Sequence, residues 1–207
     1  MNLGLIILGI SALGYISNWL NWRFLNYKVV HLLYYIGAFV HETSHALLCL
    51  LTGAKIIEYK VFVKHPHVSY AKSAIPILGN VLIAFAPIAG GLLFLYAINK
   101  FFLSAYFMIP QFSGWQNIFG DAFRLLAQLN ITHWQILLAL LLFLNVGAMI
   151  GPSFQDLKNI WPILIVLFFA KSEFLGHLGL LAIILILTNI IIQLILAAIV
   201  SIARAVI

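Results

Sequence analysis

Apolar runs long enough to cross a lipid bilayer recur along the whole sequence, and no other feature limits its fold so tightly. A spanning helix needs about 20 predominantly apolar residues to cover roughly 30 Å of hydrocarbon. Six segments qualify, at about 3–20, 29–51, 75–98, 134–150, 153–171 and 175–202. Of the 207 residues, 64% are hydrophobic and 8% charged. Soluble domains carry about 25% charged residues, so an aqueous fold is excluded. In lipid every backbone polar group must pair within the chain, which makes helices the spanning element. The expectation is an all-α polytopic membrane protein of about six transmembrane helices, with residues 1–207 forming one integral membrane domain. The first segment lacks the positive n-region of a cleaved signal peptide and is expected to stay as a permanent helix.

Between the second and third runs the character changes. Ile57, Tyr59, Val61 and Val63 alternate with Glu58, Lys60, Phe62 and Lys64, and Val68-Ser69-Tyr70-Ala71 resumes the β-like composition after His65-Pro66-His67. This predicts a small β-hairpin at the membrane surface over about 55–73. His65 and His67, with Pro66 between them, are expected to be turn residues rather than a second metal site. The second run stops at Thr52-Gly53, glycine being the expected residue just past a helix. Residues 99–133 hold aromatic-belt material, with one short amphipathic surface helix from Asp121 to Leu129. In the last run Asn189 and Gln193 stand at i and i+4 and are expected to bond a neighbouring helix.

The chemistry is concentrated in His41-Glu42-Thr43-Ser44-His45, inside the second run. On a helix this HExxH pattern puts two imidazoles one turn apart on one face, where both can bind a single zinc ion. Glu42 then stands beside the ion's open position, where a carboxylate can act as general base. Two histidines and a glutamate at bilayer depth are expensive, which makes a functional role the default reading. A catalytic zinc takes a third protein ligand. The acidic residues are only Glu42, Glu58, Asp121, Asp156 and Glu173. The helix beginning near Ser153 must start there to cross the bilayer, which puts Asp156 alone among the other acids at the right depth. A second reading of Asp156 stays open, because Ser153-x-x-Asp156 after Pro152 is also a helix-capping arrangement. Cys49, the single cysteine, follows His45 by one turn and reads as a small buried apolar residue before a ligand. His31, His133 and His177 lie near predicted helix starts and read as interfacial residues.

His41-Glu42-Thr43-Ser44-His45-Ala46-Leu47, followed by Thr52-Gly53-Ala54-Lys55-Ile56, resembles the catalytic segment of site-2 protease-type intramembrane metalloproteases. The resemblance extends to the hairpin after the motif helix, to Ala86-Pro87 in the third run, and to a later proline-containing break that supplies an aspartate. It implies His41, His45 and Asp156 as ligands of one Zn²⁺ per chain, with Glu42 as the general base. It also implies a multi-pass zinc endopeptidase acting on the transmembrane segment of a membrane-protein substrate, with the hairpin as an added-strand platform. Leu157 follows Asp156 where the family usually has glycine, and Asn145 stands outside the family's Asn-x-x-Pro spacing. The hairpin side carries Lys55, Lys60, Lys64, Lys72, Lys158 and Arg204; the other side carries Arg23, Lys28, Lys100, Arg124 and Lys171. That tally leans toward a cytoplasmic hairpin in the cell membrane of a microbe. Two other classes stay open: a catalytically silent zinc-binding membrane protein, and an ion or solute transporter using the intramembrane His/Asp cluster. Nothing suggests nucleic acid as a partner.

Overall fold

The computed structural model describes residues 2–24, 27–63, 66–98, 100, 115–127 and 134–206. Among these, helices α1 (Leu3–Phe24) and α2 (Tyr27–Leu51) are followed by strands β1 (Ile56–Lys60) and β2 (His67–Tyr70). Then come α3 (Leu78–Ile98), α4 (Ile118–Ala127), α5 (Trp134–Met149), α6 (Phe154–Phe169) and α7 (Glu173–Val206). Three of the helices, α1, α3 and α7, are long and apolar enough to cross a membrane. The two strands pair antiparallel, Tyr59 opposite Val68 and Lys60 opposite His67, with an irregularity between Ile56 and Glu58. This is the small hairpin expected from the alternating composition.

Local chemistry explains most boundaries. The motif helix stops before Gly53, which takes φ +71°, the left-handed conformation that glycine adopts without steric penalty. The third helix begins later than its apolar run, because Pro76 and then Ile77, at φ 60°, hold the chain in a turn. Ser73 accepts from the Ile75 N–H, and its own N–H donates to Asn80 Oδ1, closing that turn.

Contacts between helices give their directions. The Leu3 N–H donates to Ala170 O and the Asn2 amide to Phe168 O, so α1 begins where α6 ends. Gly14, midway along α1, faces the Gly151 backbone in the break between α5 and α6. Thus α6 runs from the middle of the molecule to the end where α1 starts. Gly179 of α7 meets Ile6, and further along Asn189 and Gln193 meet Ser17, so α1 and α7 run parallel. Gly37 meets Asn145 and His41 meets Met149, so α2 and α5 also run parallel. At about 1.5 Å per residue, α5 and α6 are each roughly 24 Å long, short of a full crossing. The two runs expected as separate spans over 134–150 and 153–171 therefore follow one direction, interrupted at mid-depth.

The main core gathers α1, α5 and α7 around Ile6, Ile10, Val146, Ile150, Leu180 and Ile184. Large apolar side chains such as Leu8, Tyr15, Leu93, Ile195 and Ile199 face outward, as a lipid-exposed surface requires. The amphipathic helix α4 departs from its expected position. It starts at Ile118, packs on α7 and buries Asp121 and Ala122. Burial of Asp121 is compensated by Arg124 Nη1, 3.1 Å away.

Candidate metal centre

Four helices meet at the α5–α6 break. Helix α2 contributes His41, Glu42 and His45; α6 contributes Asp156; α3 and the end of α5 hold the two imidazoles from behind. His41 Nδ1 lies 2.7 Å from Met149 O, and His45 Nδ1 lies 2.8 Å from Ile83 O. A carbonyl oxygen only accepts, so each ring carries a proton on Nδ1 and, when neutral, presents a bare Nε2 lone pair. Those two Nε2 atoms face each other at 3.3 Å. Between neutral rings this is a meeting of two acceptors, which a shared cation resolves.

Asp156 closes the third side. Its Oδ1 lies 3.5 Å from His45 Nε2 and its Oδ2 4.0 Å from His41 Nε2. Oδ2 also accepts from Ser153 N–H at 2.8 Å and from Ser153 Oγ–H at 2.6 Å, while Asp156 N–H donates back to Ser153 Oγ. This is a complete capping box at the start of α6. The capping arrangement and the approach to the histidines are compatible: Oδ2 serves the cap while Oδ1 is turned to His45.

All three ligand atoms lie within 4.8 Å of one another, and all three residues are buried. A tetrahedral ion with ligands at about 2.0–2.1 Å needs ligand atoms about 3.3–3.4 Å apart; the His–His and His45–Asp156 separations are close to this and the His41–Asp156 separation, 4.0 Å, is wider. Two neutral imidazoles and one carboxylate, each imidazole fixed through its other nitrogen, suit a metal ion with one open position. The residues therefore fit a bound cation.

Two glycines allow the helices to close around this group. A side chain at Gly90 of α3 would collide with Ser44 Oγ, and one at Gly37 of α2 would collide with the Asn145 carbonyl. Asn145 is buried in that second contact, its Oδ1 accepting from the Gly37 N–H at 3.2 Å. It holds α5 against α2, one turn from the carbonyl that fixes His41. Cys49 is buried against Ala54 and Ile83 and stands outside the ligand group, as its apolar reading required.

The hairpin borders the same site. Thr43 Oγ1 and Tyr59 Oη share a hydrogen bond of 2.8 Å. Tyr70 Oη accepts from Asn159 Nδ2 at 3.5 Å. Burial pushes the Tyr70 phenol up to about 12, and the nearby Asp156 carboxylate adds to the shift. Neither tyrosine stood out in the sequence, where both read only as strand residues. The Met149 and Ile83 carbonyls carry no sequence signal at all. His67 pairs with Glu58 at 3.0 Å, and Lys60 sits on the other Glu58 oxygen. Lys60 first and His67 second hold the Glu58 carboxyl below its usual range. His177 bonds its own helix at Glu173 O. His65, His133 and the His31 side chain lie outside the described residues.

Compared with known protein families, with curated proteins and with solved structures, the chain matches none.

Proposed function

We propose that this chain is an intramembrane zinc metallopeptidase hydrolysing a peptide bond in or near a transmembrane segment of a membrane-protein substrate. The observation that carries the reading is the buried His41/His45/Asp156 group, with Glu42 beside it on the same helix as the two histidines. In this reading α1, α2, α3, the α5–α6 pair and α7 traverse the bilayer, and the hairpin lies toward the cytoplasm. Lys171 lies on the hairpin side and Arg204 on the other, the reverse of the sequence expectation, and this exchange leaves the tally of positive charges unchanged. Zinc, when bound, polarises a carbonyl and makes hydrolytic water available at neutral pH.

The chain's own residues supply the rest. His41 and His45 present neutral Nε2 donors because Met149 O and Ile83 O hold their Nδ1 protons. Asp156 contributes negative charge, oriented by Ser153. Glu42 takes a proton from the attacking water and returns it to the leaving amine. A helical peptide bond is sterically closed and its backbone already paired, so the substrate must unwind locally. An extended segment laid beside the hairpin replaces the lost backbone hydrogen bonds.

The test is cleavage by Glu42→Gln in proteoliposomes carrying a panel of single-span reporter proteins with varied membrane segments. The expected result is normal zinc content with cleavage lower by about 10²–10⁴-fold. Cleavage at the wild-type rate contradicts the reading.

A further inference from the structure

Among the described residues none of the candidate metal group comes from the hairpin, yet the hairpin touches the helices on both sides of that group. On one side Tyr59 bonds Thr43, the residue after Glu42. Phe62, just past β1, stacks on Tyr35 at 4.9 Å and on Phe39 at 6.0 Å, both on α2 below the motif. On the other side Tyr70 bonds Asn159, which lies one turn past Asp156 on α6. Residues three apart share a helix face, so this second contact bears on the turn that carries Asp156. Within the hairpin, Tyr59 stands directly opposite Val68, so the two attachments are joined through the strand pairing.

We infer that the β-hairpin is a clasp between α2 and α6, with Tyr59 and Tyr70 as positioning residues that set the Glu42 side and the Asp156 side of the site against each other. The inference rests on the peptidase reading for its catalytic consequence, but its metal-binding consequence is independent of that reading. Tyr59 acts through Thr43 and Glu42 on proton transfer. Tyr70 acts through Asn159 on retention of the third ligand. A merely structural hairpin would lower both properties together; the clasp separates them.

The experiment uses the full chain in detergent or proteoliposomes, with Tyr59→Phe, Tyr70→Phe, Thr43→Val and the Tyr59→Phe/Thr43→Val pair. Zinc release to a chelator and turnover of the single-span reporters are read in parallel. Tyr59→Phe is expected to lower kcat about tenfold with zinc release unchanged, and Thr43→Val is expected to add little to it. Tyr70→Phe is expected to speed zinc release about tenfold, in the range of lost supporting contacts around metal ligands. Phe62→Ala is expected to reproduce the Tyr59→Phe loss, and Phe62→Trp to restore turnover. Variants that shift both readouts in the same proportion overturn the inference, as does unchanged zinc release in Tyr70→Phe. A wild type that binds zinc but cleaves no reporter counts against the peptidase reading alone, and Tyr70→Phe zinc release still decides the clasp.

Discussion

Protonation is dictated by the backbone at the metal group. Because Met149 O and Ile83 O can only accept, His41 and His45 each turn an unprotonated Nε2 toward Asp156. Ser153 then divides the labour of the carboxylate, taking Oδ2 for the cap and leaving Oδ1 3.5 Å from His45. Ser153→Ala is therefore expected to act twice. It removes a helix cap, at about 1 kcal/mol of stability, and weakens zinc binding by about 10–100-fold. Chelator competition and thermal unfolding of the same sample separate the two effects; unchanged zinc affinity would detach the cap from the site. The HExxH residues and the Ser153-x-x-Asp156 spacing were legible in the sequence because their chemistry is written in side chains. The carbonyls that choose the tautomers were not, since every residue has one. Asn145, noted in the sequence only for standing outside the family's Asn-x-x-Pro spacing, is a packing amide on Gly37.

Among the elements, the helix contacts that shape the site are those where a side chain is missing. Gly90→Leu would drive a side chain into Ser44, on the α2 turn between the histidines. Overpacking of this kind is expected to destabilise by about 1–3 kcal/mol, read as a lower midpoint of thermal unfolding with earlier zinc loss; an unaltered midpoint would show that α2 and α3 are not closely packed. The hairpin carries its own pH signature. Tyr70 ionises near 10.0 when unfolded and near 12 in place. Its stabilising contribution is therefore whole below pH 10 and is lost as pH rises from about 10 to 12. Amide exchange in residues 56–70 is expected to accelerate over that interval in the wild type, and Tyr70→Phe to flatten the response. An equal rise in both proteins would refute this assignment. Hairpin and helices were legible from their periodicities of two and from sustained apolar runs. The shared direction of α5 and α6 was not, because two short apolar runs look alike whether the chain reverses or continues between them. Only packing, Gly14 on Gly151 at one end and Asn2 on Phe168 at the other, distinguishes these cases.

For the molecule as a whole, α1 and α7 form the frame against which the site elements are set. Ser17 Oγ accepts from Asn189 Nδ2 at 3.1 Å and from Gln193 Nε2 at 3.0 Å, deep in the interface. The i, i+4 spacing of the amides was readable in the sequence; their partner, about 170 residues away, was not. Ser17→Ala leaves two buried amides without that acceptor and is expected to cost about 1–3 kcal/mol, seen as unfolding at lower denaturant; no change would mean the amides find other partners. This frame brings residues 41, 45 and 156 together from distant parts of the chain, and that convergence is the central claim. Metal analysis of purified wild type, His41→Ala and Asp156→Ala tests it most directly. The expected result is about one zinc per chain in the wild type and its loss or sharp weakening in both variants. Wild-type protein without zinc, or full zinc in Asp156→Ala, would contradict it.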